Sequence, residues 1–180
     1  MASSTSSEVR SDKILLEIVT PRGIAMSAVV DEVTAPSVKG EFGVLPGHLP
    51  LLVALQTGLV SFRVGADTTR VAVGRGFAET GANKVLILTD EYVERSKVDP
   101  VLVRKELGEI QTQLDRGEGT EGDAAEKRVL LIQRENWLAA QLELYGDPPP
   151  ATMRPFEQFG PPPLAEDEEY VADDGTNAGS

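Results

Sequence analysis

The side chains able to do chemistry are few and scattered. His48 is the only histidine among 180 residues, and there is no cysteine. A Ser-His-Asp relay could centre only on His48, which lies in a Gly/Pro-rich stretch with no nucleophile at an obvious position. Disulfides, thiolate catalysis and Cys-ligated zinc are excluded by composition. No G-x-x-x-x-G-K-(S/T) phosphate loop occurs. Gly74-Arg75-Gly76 opens like a dinucleotide fingerprint, but Glu79 stands where the third glycine belongs. The run also falls between expected strands rather than before a helix, so a tight β turn or bulge is expected there. The acidic run Glu166–Glu169 would attract calcium only weakly and reads as a solvated segment. These residues point away from an enzyme and imply no cofactor and no metal.

The stretch most suggestive of binding is Gly40 to Pro50, Gly-Glu-Phe-Gly-Val-Leu-Pro-Gly-His-Leu-Pro. Three glycines and two prolines in eleven residues specify a constrained backbone. Phe42, Val44, Leu45 and Leu49 are more apolar than a solvated loop requires. Two readings stand side by side. One is a buried corner between two strands. The other is a rigid surface that grips a partner, with Glu41 and His48 as its polar contacts.

Four segments must position these residues. Positions 1–12 read as a flexible N-terminus, and 13–96 read as β structure. In Ser61-Phe62-Arg63-Val64 apolar and polar residues alternate, as a half-buried strand requires. Arg70-Val71-Ala72-Val73 and Lys84-Val85-Leu86-Ile87 are similar, with both faces partly apolar. Pro21-Arg22-Gly23, Gly65-Ala66-Asp67 and Gly81-Ala82-Asn83 supply turns between the runs. Short strands at this spacing predict an antiparallel sandwich or barrel.

Positions 97–146 switch to helical periodicity. Asp99 can cap free N–H groups, and Pro100 at the first helical position loses no hydrogen bond. Val103, Leu107, Ile110 and Leu114 form one apolar stripe. Asp115–Gly122, polar and glycine-rich, reads as a turn, and Asp123 with Glu126 resembles a capping box. Leu131, Leu138, Leu142 and Tyr145 make the second stripe, flanked by Leu130 and Trp137. Gly146 and Pro148 end the second helix. The result is a helix–turn–helix hairpin. Helices this short are marginal alone, so each stripe must pack on its mate, on the sandwich or on a partner. Gly108 costs the first helix about 1 kcal/mol relative to alanine. The hairpin is therefore a candidate movable element.

Positions 147–180 carry two triple-proline runs and the acidic cluster, and predict a disordered tail. Net charge is −12. Eight acids from Asp147 onward stand against Arg154 alone, a balance of −7, which leaves −5 for the first 146 residues. Such a chain is a poor partner for nucleic acid or an anionic lipid surface. No apolar run approaches the roughly 20 residues needed to span a bilayer, so no direct membrane insertion is expected. The polar, Ser-rich start lacks a secretory apolar stretch, and Glu8 and Asp12 argue against a transit peptide.

Gly40 to Leu51 closely resembles a signature of the epsilon subunit of F-type ATP synthases (delta in mitochondria), G-E-x-G-(I/V)-L-P-G-H-x-P-L. Other segments agree in order. Ile18-Val19-Thr20-Pro21-Arg22-Gly23 resembles "IVTPxG", and Leu55-Gln56-Thr57-Gly58 matches "L-x-x-G". Val73-Gly74-Arg75-Gly76-Phe77-Ala78-Glu79 resembles "VSGGFxEV", and Asn83 to Asp90 resembles "NKVTVLAD". The resemblance covers about Lys13 to Asp99.

The resemblance implies a ten-stranded β-sandwich followed by an α-helical hairpin. It implies a non-catalytic rotor subunit at the foot of the central stalk, bound to the gamma subunit and the ring of c subunits. Glu41, Phe42 and His48 would face the ring, and Arg75, Phe77 and Glu79 would meet gamma. The hairpin, through Leu107, Ile110, Leu114, Leu131, Trp137, Leu138 and Leu142, would fold on the sandwich or extend toward the catalytic alpha and beta subunits and inhibit ATP hydrolysis. The implied location is peripheral on the cytoplasmic face of a bacterial inner membrane, with the matrix side of a mitochondrial inner membrane as the alternative.

The hairpin departs from the family pattern. ATP-binding members carry (I/L)-D-x-x-R-A; here Val98 and Asp99 match, but Leu102 and Val103 replace Arg and Ala. Of the basic pair in the second helix, Arg134 matches the first member and Leu138 replaces the second. Weak or absent ATP binding is expected. The competing class is a free-standing β-sandwich binding module, although such modules often expose aromatics and this region has only Phe42, Phe62, Phe77 and Tyr92. A small hydrolase is disfavoured by the missing constellation.

Overall fold

The computed structural model describes residues 12–81, 83–116 and 123–150. Ten strands come first: β1 (Ile14–Thr20), β2 (Gly23–Val30), β3 (Glu32–Ser37), β4 (Gly40–Val44), β5 (Leu51–Leu55), β6 (Gly58–Val64), β7 (Asp67–Val73), β8 (Gly76–Gly81), β9 (Lys84–Thr89) and β10 (Tyr92–Glu94). A short 3-10 turn at Arg95–Lys97 leads to α1 (Pro100–Asp115) and α2 (Asp123–Tyr145).

Two-residue periodicity builds the core. In β1, Ile14, Leu16 and Ile18 are fully buried, while Leu15, Glu17 and Val19 are half-buried on the other face. The strands join in one sheet of order β10-β7-β6-β3-β5-β8-β9-β1-β2, with β4 paired to β3 off the main path. The sheet folds over at β3, which meets β5 only through Ser37 and Leu55. Inward residues of both halves, among them Val33, Val60, Phe62, Val71, Val73, Ala78, Val85 and Ile87, form one cluster. This is the expected ten-stranded sandwich, with one difference: β1 and β9 pair parallel. Local alternation carries no information about strand direction, so the sequence reading could not separate this pair from the rest.

Gly74-Arg75 is also not a hairpin turn. β7 and β8 do not pair with each other; β7 pairs β6 and β10, and β8 pairs β5 and β9. The dipeptide carries the chain from one half of the sheet to the other. Gly76 is required for close approach, since a Cβ there would lie 1.9 Å from the Leu88 carbonyl oxygen.

The helical signals act as expected where they are described. Asp99 caps α1, its side chain accepting from the amides of Val101 (3.0 Å) and Leu102 (3.2 Å). At the end of α2, Gly146 takes φ +99°, and the Asp147 amide donates to the Leu142 carbonyl at 2.9 Å, a Schellman closure. The α1 stripe is as expected: Val103, Leu107 and Leu114 are buried and Ile110 packs beside them. The α2 stripe is rotated. Trp137, Leu138, Ala140, Leu142 and Leu144 are buried, Leu131 is half-buried, and Tyr145 is exposed. Trp137 is thus core rather than flank, because α2 must bury side chains against both α1 and the sheet. Most of the turn at 115–122, the side chain of Asp123 in the capping box, and most of the N-terminal and acidic tails lie outside the described residues.

Candidate functional site

Gly40–Pro50 divides in two. Gly40–Val44 is strand β4, with Pro36 opposite Glu41 and Ala35 opposite Phe42. Val44 is buried, Phe42 packs on the sandwich core, and Glu41 is exposed. The remainder, 45–50, is a loop bound to the opposite end of the sandwich. The Gly47 amide donates to Asn83 Oδ1 (2.7 Å), the Thr80 hydroxyl to the Leu49 carbonyl (3.0 Å), and the His48 amide to the Leu45 carbonyl (3.1 Å). His48 Nδ1 lies 2.8 Å from the Leu49 carbonyl, which calls for the tautomer protonated at that nitrogen. Leu45 and Leu49 are 55% and 78% exposed. Glu41 lies within β4 and His48 in the loop that follows it; among the described residues β4 pairs with β3 alone.

Beside this loop lies an ionic cluster. Asp31 pairs with Lys13 and Arg63 and accepts the Gly65 amide at 2.7 Å; Arg63 also reaches Glu32 at 3.3 Å. The Lys13 ammonium, helped by the Gly65 N–H, holds the Asp31 carboxyl below its ordinary range. The cluster ties the start of β1 to the β2–β3 and β6–β7 turns.

Arg75, Phe77 and Glu79 are exposed; Phe77 and Glu79 point outward from β8 while Ala78 and Thr80 point in. Register places Phe77 between Ala54 of β5 and Leu88 of β9, and continues the row to Val19 of β1 and Ile24 of β2. Leu52, opposite Glu79, lies on the same face. Ile24, Leu52, Phe77 and Leu88 are 66%, 70%, 54% and 47% exposed. Ile24, Leu52 and Leu88 are not among the residues that the sequence singles out. The signal was present in Lys84–Ile87, where both faces are partly apolar: a strand with one face in the core and a second apolar face has something else to cover.

The other outer face is covered. Leu59 (β6), Ala72 (β7) and Val93 (β10) are direct cross-strand neighbours and pack against Val103, Leu107, Trp137, Leu138 and Leu142 of the hairpin. Arg134 of α2 donates to Glu106 of α1 (2.6 and 3.0 Å) and to Glu91 after β9 (3.4 Å). In this structure the hairpin lies on the sandwich.

A two-layer sandwich with one helix-covered face and one bare apolar face presents a surface for docking. Residues 13–95 match the family described as "ATP synthase, Delta/Epsilon chain, beta-sandwich domain". An ATP synthase epsilon chain 2 of Syntrophotalea carbinolica is 40% identical over 102 residues, covering 57% of this chain and 74% of that one. The ATP synthase epsilon chain of Microcystis aeruginosa is 36% identical over 128 residues, covering 71% and 90%. A chain of the Euglena gracilis mitochondrial ATP synthase, solved as OSCP/F1/c-ring, shares the fold with a TM-score of 0.60 at 23% identity, covering 79% of this chain and 86% of that one. The chain belongs to the ATP synthase epsilon chain family and is a non-catalytic subunit of that complex. Membership sets aside the reading as a free-standing sandwich module. No helix among the described residues is long and apolar enough to cross a membrane, and the subunit is peripheral to a membrane complex.

Proposed function

We propose that the chain is a central-stalk rotor subunit that couples gamma to the c-subunit ring. The observation that carries this is the contrast between the two outer faces. Leu59, Ala72 and Val93 are covered by the chain's own hairpin, whereas Ile24, Leu52, Phe77 and Leu88 are bare. A row of exposed apolar side chains along one sheet face is the kind of surface a protein interface uses. Gamma is the occupant of this face, with Arg75 and Glu79 at its polar rim. The c-ring loops meet β4 and the loop after it, engaging Glu41 and Phe42 in the strand and His48 in the loop. The subunit then sits on the cytoplasmic face of a bacterial inner membrane, outside the bilayer.

Inhibition of ATP hydrolysis by the hairpin is a separate part of the reading. It rests on the hairpin's two amphipathic helices, which can exchange the sandwich for alpha and beta surfaces. Co-purification with gamma and the catalytic hexamer tests the first part. Phe77→Asp and Leu52→Asp should each abolish recovery of gamma while leaving the melting temperature near that of the parent. Deleting residues 99–180 should leave assembly intact. Retention of gamma by the Phe77→Asp, Leu52→Asp double variant would sink the assignment of this face. Unchanged hydrolysis by a complex lacking the hairpin would sink inhibition.

A further inference from the structure

The hairpin's seat on the sandwich is thin. Only Leu59, Ala72 and Val93 of the strands join its core cluster, and Ala72 contributes a single methyl group. Beside this small apolar contact sits a triad drawn from three elements: Glu91 in the β9–β10 turn, Glu106 on α1 and Arg134 on α2. Arg134 holds Glu106 in a two-pronged bond at 2.6 and 3.0 Å, and its other nitrogen reaches Glu91 at 3.4 Å.

The charges are unequal in number. Two carboxylates, one on the sandwich and one on the hairpin, share one guanidinium. The environment of Glu91 is adverse to a charge. Burial is the largest influence on its carboxyl and pushes it above the ordinary value; Arg134 opposes the rise, and Asp90 and Glu106 add to it. Those three are the charged groups that bear on Glu91 from its own turn, from α1 and from α2. Glu106 repels Glu91, and Arg134 opposes that repulsion and the burial in part.

We infer that Arg134 is the catch of the hairpin, a positioning residue that keeps α1 and α2 on the sandwich by neutralising a Glu91–Glu106 pair that would otherwise push them apart. The effect of each substitution then depends on which charge is removed. Loss of the arginine leaves two facing carboxylates, one of them half-buried, and drives the hairpin off. Loss of the Glu91 charge removes the half-buried carboxylate that the guanidinium must offset together with the bond to it, and leaves the Arg134–Glu106 bond within the hairpin. The inference concerns how this chain holds its own hairpin, and stands whether or not gamma occupies the bare face.

The native absence of cysteine allows a clean test. Spin labels at Arg22→Cys and Glu126→Cys, both exposed, report the sandwich–hairpin distance in the full chain by double electron–electron resonance. The parent should give one short-distance population. Arg134→Met, which keeps an aliphatic stem, should raise the long-distance population roughly tenfold. Adding Glu91→Gln and Glu106→Gln to Arg134→Met should restore the short population. Glu91→Gln alone should leave the hairpin seated. A seated hairpin in Arg134→Met overturns the inference, as does release that the two neutral glutamines fail to reverse. Should Arg134→Met not fold, the Glu91→Gln measurement still decides, because release there means that the Arg134–Glu91 attraction outweighs what burial and Glu106 repulsion cost.

Discussion

Gly47 donates its amide hydrogen to Asn83 Oδ1 at 2.7 Å, joining the loop after β4 to the turn between β8 and β9 across 36 positions of sequence. Asn83 holds a left-handed φ of +64°, a conformation asparagine tolerates better than most side chains. The Asn83 carbonyl also accepts the Leu15 amide at 2.8 Å, so one residue gathers three segments. The loop bearing His48, Leu45 and Leu49 is built from tertiary bonds as much as from its own glycines and prolines.

Asn83→Ala should therefore cost about 1–2 kcal/mol, from the lost bond and the added backbone strain. Amide exchange at Gly47 and His48 should quicken more than exchange in β9. Asn83→Gly relieves the strain but not the bond, so it should restore stability in part and leave exchange at Gly47 fast. Exchange at Gly47 unchanged in both variants would show that the loop holds itself.

Gly76→Ala tests the close approach of β8 to β9. A Cβ placed 1.9 Å from the Leu88 carbonyl oxygen meets backbone, which cannot rotate away. Chemical denaturation should register a loss of about 3 kcal/mol or more. Gly108→Ala is the contrasting case. Its added Cβ meets nothing within 4 Å, and the substitution should stabilise α1 by about 1 kcal/mol.

Stability should fall at both ends of the pH range for different groups. Burial, with Glu94 adding repulsion and a bond from the phenol, pushes Tyr92 up to about 12. The folded state thus favours the neutral phenol. That contribution is intact below about pH 10, the usual tyrosine value, and is lost as pH rises toward 12. Tyr92→Phe should flatten this alkaline limb of a urea-unfolding profile. Asp31 has the opposite sign. Its lowered value supplies stability above pH 3.8 that is lost as pH falls through the folded-state value, and Lys13→Met should shrink that acid limb.

Isothermal titration of the isolated chain with ATP should show weak or no binding. Leu102 is 64% exposed where ATP-binding relatives carry arginine, and Arg134 is already engaged with Glu106 and Glu91. Micromolar binding would contradict this.

Much of the architecture was legible because local chemistry dictates it. Asp99-Pro100 and Gly146 mark helix ends by satisfying or ending backbone hydrogen bonds, and both act in the structure as their types require. The alternation in β6 likewise fixes which side chains face in. Pairing partners are a long-range property, and there the sequence said less. Glu41 and His48 are near in sequence but differ in setting: Glu41 is the second residue of β4, and His48 lies in the loop four positions past its end. The sequence read Trp137 as peripheral because a single stripe was assumed, while α2 packs on two surfaces. The apolar face through Phe77 was hidden for a related reason. Its members come from β1, β2, β5, β8 and β9, and no window along the chain contains them together.

Ala72 shows what kind of surface the hairpin would leave behind. Its neighbours Val71 and Val73 point into the sandwich, so only the alanine methyl group is turned toward the helices at that point of β7. A larger apolar residue there would grip the helices harder, and would be an adhesive spot once they moved. With a methyl group between Leu59 and Val93, the uncovered face would present less hydrocarbon than a larger residue at that point would leave.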